Sequence, residues 1–289
     1  MRYKYIIFDN DGVNIDSEHI AMRVMDECGR VLVLRYKPDA DLPENYIYRT
    51  YPGTSTDRIV DTLIRNFNLP RDQIRKAYKL PEDVDVAVSY AELVTLETNS
   101  RFKALLKAIP GATPALMKIR NMFGPENMAL ATTSPAERMD ICLDCAVDAQ
   151  TLENARLAEI FPAGPRRRSG YGHPNKYDET FGALGWNPKD TIIVEDSASG
   201  VQKAKAGRPD TPVIGTVAAT FYEDKPAQAK VLLGEGASIV ISSMADLPHA
   251  TMWLQADMAK NARPNFEAQI YTSPAGRSVL GRSATPSIR

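Results

Sequence analysis

The sequence predicts an α/β fold: a core of parallel strands with helices on both faces, interrupted by an all-helical insertion. Three observations carry this reading. Short apolar runs, Tyr5-Ile6-Ile7-Phe8, Met128-Ala129-Leu130-Ala131 and Thr191-Ile192-Ile193-Val194, have the composition of buried strands. All three end in polar residues that lead into helices, and strand and helix signals alternate beyond about residue 108, as in a sheet with crossover helices. Residues 17–108, by contrast, place apolar residues at spacings of three, four and seven and contain no convincing strand.

The first run stops at Asp9-Asn10-Asp11-Gly12, where Asp-Gly signals a turn. Two carboxylates, Asp9 and Asp11, thus stand at the carboxyl edge of the sheet, where open α/β sheets bind ligands. Like charges this close need a proton or a cation between them. Mg²⁺ suits such a pair, because it takes one or two carboxylates together with waters and substrate phosphates. The alternative at this point is a turn with solvated acids. In the insertion, Ile20, Val24 and Met25, then Ile59, Leu63 and Ile64, then Leu93, Leu96, Phe102, Leu105 and Leu106 mark amphipathic helices. The second run ends in Thr132-Thr133-Ser134-Pro135 before a helix rich in Glu and Arg, and hydroxyls with free N–H groups at a helix start make an anion site. The third ends in Glu195-Asp196, and its helix is closed by Gly207. Two acid-tipped strands and one hydroxyl-tipped strand can converge on one metal-phosphate centre.

Later strands are expected at Val213-Ile214-Gly215 and Ile239-Val240-Ile241, and a helix over 251–262. The run Arg166-Arg167-Arg168 reads as a solvated loop, with steering of anionic substrates as its alternative. Residues 273–289 are rich in Ser, Pro, Gly and Arg with little to bury, so a mobile tail is favoured over a basic arm for an acidic partner. The boundaries are then 1–16 and 109–247 for the core, 17–108 for the insertion and 248–289 for a C-terminal extension.

A chain of 289 residues holds one large α/β domain plus an inserted module. A formal net charge of −1 gives no electrostatic footprint for nucleic acid. No run of about 18 apolar residues predicts a membrane span, and a strand at the very N-terminus leaves no room for a signal peptide. An odd count of three cysteines points to a reducing cytoplasm. Cys142 and Cys145 have Cys-x-x-Cys spacing, which raises redox and zinc readings, but they lie in a helical segment without a second pair, and helix packing is the better account.

Residues 9–18 resemble the first motif of the haloacid dehalogenase (HAD) superfamily, Asp-x-Asp-Gly-Thr/Val followed by Asp-Ser-Glu, in its phosphatase and phosphomutase branch with a helical cap. The match fails only at Asn14, where an apolar residue is usual. The family's second motif, a strand ending in Ser or Thr, is matched by Thr132, and its fourth is similar to Val194-Glu195-Asp196-Ser197-Ala198-Ser199-Gly200-Val201 with the Ala-rich helix that follows. Pro110-Gly111 is similar as well. The third motif, usually Lys-Pro-x-Pro-Asp, is reduced here to Gly172-His173-Pro174-Asn175-Lys176-Tyr177-Asp178. The resemblance covers residues 1 to about 247 and implies a Rossmann-like core with an inserted helical cap.

It also implies the chemistry. Asp9 would attack phosphorus to give an aspartyl-phosphate, and Asp11 would protonate the leaving alkoxide and then take a proton from water. Mg²⁺ would be ligated by Asp9, the Asp11 main-chain carbonyl and Asp196, with Glu195 holding a coordinated water or the metal shell. The Thr132 hydroxyl and Thr133 N–H would bind phosphoryl oxygens, and Gly12 joins the phosphate-binding set. For the third-motif cation, Lys176 is favoured for its permanent charge, while His173 aligns better through its following proline but is largely neutral at pH 7. In the cap, Arg49 and Thr56 are placed to reach substrate hydroxyls or a second anionic group, against helix capping by Thr54 or Ser55.

The resemblance therefore implies a Mg²⁺-dependent phosphatase acting on a small phosphorylated metabolite, with a sugar phosphate favoured by the polar cap loop. A sugar phosphomutase of the beta-phosphoglucomutase type keeps every motif found here and is the first alternative. A non-catalytic binding module on a decayed fold is the second. Dehalogenase and phosphonate-hydrolase chemistry are disfavoured by Asp11, which those branches lack.

Overall fold

The computed structural model describes residues 2–51, 54–146, 156–256 and 270–272, except for the side chains of residues 48, 49 and 270–272. The expected tail from 273 and the end of the expected 251–262 helix lie outside the described residues. The described chain divides into two compact units, one drawn from Met1–Asp16 and Leu106–Arg289, the other Ser17–Leu105.

Strand β1 (Tyr5–Phe8) is buried at Ile6, Ile7 and Phe8. After Asp16 the chain enters the helical unit: α1 (Glu18–Tyr36), α2 (Tyr46–Thr50), α3 (Thr56–Asn66), α4 (Arg71–Tyr78) and α5 (Val86–Leu105). Helix α3 buries Ile59, Val60, Leu63 and Ile64, one stripe of an amphipathic helix, each side chain worth roughly 1.5–3 kcal/mol against exposure. The stripe packs in a core with Val24, Leu32, Tyr90 and Val94. Gly29 lets α1 approach α2 closely, since a Cβ there would lie 2.2 Å from Ile47 Cδ1. Asp26 Oδ1 accepts the N–H of Ile47 at 3.0 Å. Helix α5 corrects one expectation. Its buried face runs through Val86, Tyr90, Val94, Thr98 and Phe102 at i, i+4 spacing, whereas Leu96 and Leu105 are 63% and 54% exposed. Apolar residues lie nearly all around this helix, so periodicity alone does not choose its inner face.

The chain then builds α6 (Ala112–Phe123), β2 (Met128–Thr132), α7 (Ala136–Cys145), α8 (Leu157–Ile160), β3 (Arg167–Ser169), α9 (Lys176–Leu184), β4 (Thr191–Glu195), α10 (Ala198–Lys205), β5 (Val213–Thr216), α11 (Lys225–Gly234), β6 (Ile239–Ile241), α12 (Leu247–Gln255) and β7 (Ile270–Thr272). The seven-stranded sheet has the order β3-β2-β1-β4-β5-β6-β7, parallel throughout except for β7, which runs antiparallel to β6. Strands β1, β2 and β4 are buried on both faces, as parallel strands covered by helices must be. The order places β1 at the point where the chain reverses direction across the sheet, the position at which doubly wound sheets open a ligand crevice. Phe8 is in register with Leu130 and Val194, so Asp9, Thr132 and Glu195 leave the sheet at one edge.

Two further expectations change. The arginine run is no solvated loop: Arg167 and Arg168 belong to edge strand β3, with Arg167 paired to Asp140 at 2.6 Å and Arg168 paired to Glu179. Nor does the core stop at 247. Helix α12 buries Trp253 and Leu254, and the Gln255 amide exchanges hydrogen bonds of 2.8 and 2.7 Å with the Tyr3 backbone. Cys142 and Cys145 lie in α7 as free thiols, Cys142 buried. No described helix is long and apolar enough to cross a membrane.

Candidate active site

Residues 9–16 form a tight loop after β1. The Asn10 carbonyl accepts the N–H groups of Val13, Asn14 and Ile15 at 3.3, 2.9 and 3.1 Å. Gly12 has φ +77°, and a Cβ there would fall 1.8 Å from Asp196 Oδ2, so both the conformation and the space demand glycine. Asn14, the departure from the family pattern, is buried and donates its Nδ2 to the Asp9 carbonyl at 2.8 Å. It ties the loop to the end of the strand. Asp16, also buried, accepts the backbone and hydroxyl donors of Thr220.

The buried Lys176 ammonium lies 2.7 Å from Asp9 Oδ1 and 2.8 Å from Glu195 Oε1. Its position follows from the start of α9: Asn175 caps the helix by accepting the N–H of Tyr177 at 2.9 Å, and Gly170 gives the Lys176 backbone room. His173 sits exposed on the preceding loop, its N–H bonded to the Gly170 carbonyl at 3.0 Å.

Glu195 is fully buried and its oxygens are saturated. Oε1 accepts from Lys176 and from the Tyr177 hydroxyl at 2.9 Å. Oε2 accepts from Asp196 N, Ser197 N and Ser197 Oγ at 2.9, 3.0 and 3.2 Å. A carboxylate offers about four lone-pair sites, so little is left for a further ligand. Asp196 Oδ2 accepts the Tyr222 hydroxyl at 2.9 Å, while Oδ1 has no donor among the described residues. One oxygen from each of Asp9, Glu195 and Asp196 lies within 4.8 Å of the others.

Asp11 stands opposite the end of β2. Its Oδ2 accepts the Thr132 and Ser134 hydroxyls at 3.0 and 3.1 Å, and Thr132 Oγ1 in turn accepts Ser134 N at 3.0 Å. Thr132 is buried and Thr133 exposed. In the helical unit, Thr56 opens α3 with Ser55 at the N-cap position, and no side-chain capping bond forms. The Arg49 side chain lies outside what is described. The Arg49 backbone belongs to α2, as that of Thr56 belongs to α3.

The electrostatics follow from several acids sharing one ammonium. Burial, with Glu195 and Asp11 nearby, pushes Asp9 up to about 7 despite Lys176. Burial, with Glu195 and Asp9 nearby, pushes Asp196 well above the carboxylate range. Glu195 goes the other way: burial opposes its charge, but Lys176 and the donors around it hold it below the usual value. Burial also opposes charge on Lys176, yet its pairs with Asp9 and Glu195 raise it, so it stays protonated. With one lysine among Asp9, Asp11, Glu195 and Asp196, the site is short of positive charge.

Ser134, Tyr177 and Tyr222 were not singled out from sequence. Ser134 falls inside the Thr132-Thr133-Ser134 run and Tyr177 adjoins Lys176, so both were within reach. Tyr222 comes from the segment after β5, and nothing in its local sequence marks it.

A family model described as haloacid dehalogenase-like hydrolase matches residues 3–208. The chain belongs to this family. No curated protein matches it significantly. Among solved structures, a HAD family hydrolase from Deinococcus radiodurans with bound phosphate and sodium is 22% identical, with a TM-score of 0.57 over 88% of this chain and 96% of that one. A predicted phosphoglycolate phosphatase from Haemophilus somnus is 15% identical, with a TM-score of 0.59 over 87% and 99%. CbbY from Rhodobacter sphaeroides in complex with xylulose-1,5-bisphosphate is 17% identical, with a TM-score of 0.56 over 85% and 96%. At these identities the likeness is one of fold: a HAD core with inserted helices. With the family match, it makes the chain an enzyme of the HAD hydrolase type.

Proposed function

We propose that this enzyme hydrolyses a small phosphate monoester, a sugar phosphate by preference, through an aspartyl-phosphate on Asp9 and with Mg²⁺ as cofactor. One observation carries the reading. Lys176 holds Asp9 by Oδ1 alone, leaving Oδ2 without a donor among the described residues, beside a second acid, Asp11. An ionised, positioned carboxylate with a neighbouring acid–base group is what transfer of a phosphoryl group to an alkoxide leaving group requires.

The donor set fits a divalent cation: hard oxygens, buried, in excess of positive charge, with Asp196 Oδ1 unclaimed. Asp9, the Asp11 main-chain carbonyl and Asp196 would hold it. Glu195, whose oxygens are already engaged, would act from behind by fixing Lys176 and the Asp196 backbone. Bound Mg²⁺ would neutralise the phosphoryl oxygens and align the group for transfer.

In the first step Asp9 Oδ2 forms a bond to phosphorus as the bond to the leaving oxygen breaks, and Asp11 gives that oxygen its proton. In the second, Asp11 takes a proton from water as the water oxygen bonds to phosphorus, and the acyl-phosphate bond breaks to restore the Asp9 carboxylate. Thr132 and the Thr133 N–H bind phosphoryl oxygens, and Lys176 neutralises Asp9. Hydroxyl donors from Thr132 and Ser134 orient Asp11 before substrate arrives. Substrate choice is assigned to the helical unit as the family's cap, with Arg49 and Thr56 as the residues to substitute in testing it. Free thiols at Cys28, Cys142 and Cys145 fit a reducing cytoplasm.

The test is phosphate release across sugar phosphates, nucleotides and small phosphorylated acids, with Mg²⁺ and with chelator. Mg²⁺-dependent release, highest on a sugar phosphate, is the expected result. Release that survives full chelation rejects the cofactor, and no release from any monoester rejects the function.

A further inference from the structure

The tyrosine on Asp196 has a consequence for which cation the site accepts. Tyr222 lies between β5 and α11, on a segment secured at both ends. Thr216 Oγ1 accepts Ala218 N at 3.1 Å, Lys225 Nζ donates to the Ala218 carbonyl at 3.3 Å, and Asp224 caps α11 through Ala227 N at 2.9 Å. The Tyr222 ring packs on Phe221 with centroids 4.1 Å apart. Its hydroxyl is thereby presented at a fixed place, 2.9 Å from both Asp196 Oδ2 and the Asp196 carbonyl. One proton cannot fully serve both acceptors. Gln228 Nε2 supplies the carbonyl with a donor of its own at 3.2 Å, which leaves the Tyr222 proton to Oδ2. On its other side Oδ2 rests against Gly12, where even a methyl group would collide with it.

We propose that Tyr222 is a positioning residue that sets metal preference: by occupying Oδ2 it restricts Asp196 to one ligating oxygen, Oδ1, and so favours Mg²⁺ over Ca²⁺. Mg²⁺ demands near-octahedral geometry and keeps several waters, so a one-oxygen carboxylate suits it. Ca²⁺ takes six to eight oxygens and readily uses both of a carboxylate. Partners behind a ligand commonly change metal affinity by about 10- to 100-fold when removed. The inference rests on the reading of Asp196 as a metal ligand.

Binding of Mn²⁺ to the full chain, followed by electron paramagnetic resonance and displaced by Mg²⁺ or by Ca²⁺, reads the preference without turnover. The wild type is expected to bind Mn²⁺ and to release it to Mg²⁺ at lower concentration than to Ca²⁺. Tyr222→Phe is expected to lower the Mg²⁺-over-Ca²⁺ ratio by about tenfold or more, with little loss of Ca²⁺ affinity. A merely structural role would weaken both ions by the same factor, and that result, or an unchanged ratio, overturns the proposal. Gln228→Ala leaves the Asp196 carbonyl to compete for the Tyr222 proton and should shift the ratio the same way by a smaller factor. A wild-type ratio in that variant counts equally against the proposal, even if Tyr222→Phe fails to fold. A wild type that binds no Mn²⁺ overturns the metal site itself, and this inference falls with it.

Discussion

Lys176 Nζ lies 2.7 Å from Asp9 Oδ1, both side chains buried, although the segment that delivers the lysine has lost most of the family's third-motif pattern. The residue aligned by its following proline, His173, is exposed on the loop before α9, and the charge arrives from the first turn of that helix instead. Burial and contact with Asp9 thus favour Lys176 over His173 as the proposed third-motif cation.

Removing that cation leaves Asp9 and Glu195 buried without their ammonium. Losing a group that stabilises transition-state charge typically costs about 3–4 kcal/mol. Lys176→Ala should lower turnover by roughly 100-fold or more, and His173→Ala by less than about tenfold. Steady-state kinetics on both variants check this. A crippled His173→Ala with an active Lys176→Ala would reverse the assignment.

Burial chiefly, with Glu195 and Asp11, pushes Asp9 up to about 7, and in its proposed role as nucleophile Asp9 must be ionised. Activity should therefore fall as pH drops through this region, and the acid limb should move to lower pH as Mg²⁺ is raised, because a cation favours the carboxylate. The stability sign follows from linkage. Asp9 and Asp196 are raised above their unfolded values of about 3.9, so the stability of their protonated forms is present below pH ~4 and is lost as pH rises through the folded values. Glu195 is lowered, so its contribution is lost only on acidification below its unfolded value of about 4.3. Metal-free protein should thus melt lower at pH 8 than at pH 5, with Mg²⁺ closing the gap. Melting curves at the two pH values, with and without Mg²⁺, measure it.

The first motif and the strands were legible because their signals are local. An apolar run ending in Asp-x-Asp-Gly or Glu-Asp names both the strand and the edge from which its acids project. The register of Phe8 with Leu130 and Val194 then does the assembling. What escaped the sequence was set by contacts between distant segments. Tyr222 reaches Asp196 from the next strand-helix unit. Arg167 became an edge-strand residue because Asp140 and the Phe161 carbonyl accept its donors. The inner face of α5 was misjudged because apolar residues surround the helix and only packing selects Tyr90 and Val94 over Leu96. Strand β7 carries just three residues, too short a run for alternation to declare.

Gly12→Ala tests the packing of that edge. Its left-handed backbone costs an L-residue roughly 1–2 kcal/mol, and the new methyl would displace the Asp196 carboxylate. We expect a stability loss of at least about 1 kcal/mol in denaturant unfolding, with a larger proportional loss in turnover. Wild-type stability and turnover would contradict the geometry of Gly12 against Asp196.

Phosphatase and mutase differ in the fate of the phosphoryl group. A sugar 1-phosphate incubated with a trace of the bisphosphate should yield free sugar and inorganic phosphate. Accumulation of the 6-phosphate isomer without net phosphate release would replace the phosphatase reading with the mutase one.

The most direct measurement is whether Asp9 itself carries the phosphoryl group. Enzyme quenched during turnover and reduced with borohydride should convert Asp9 to homoserine, found by peptide mass spectrometry, in proportion to the acyl-phosphate present. The account predicts that modification at Asp9 alone, dependent on substrate and Mg²⁺, and an Asp9→Asn variant that stays folded but does not release phosphate. Label at another residue, or an Asp9→Asn enzyme that keeps more than about a tenth of wild-type turnover, a barrier change of only about 1.4 kcal/mol, would contradict covalent catalysis by Asp9.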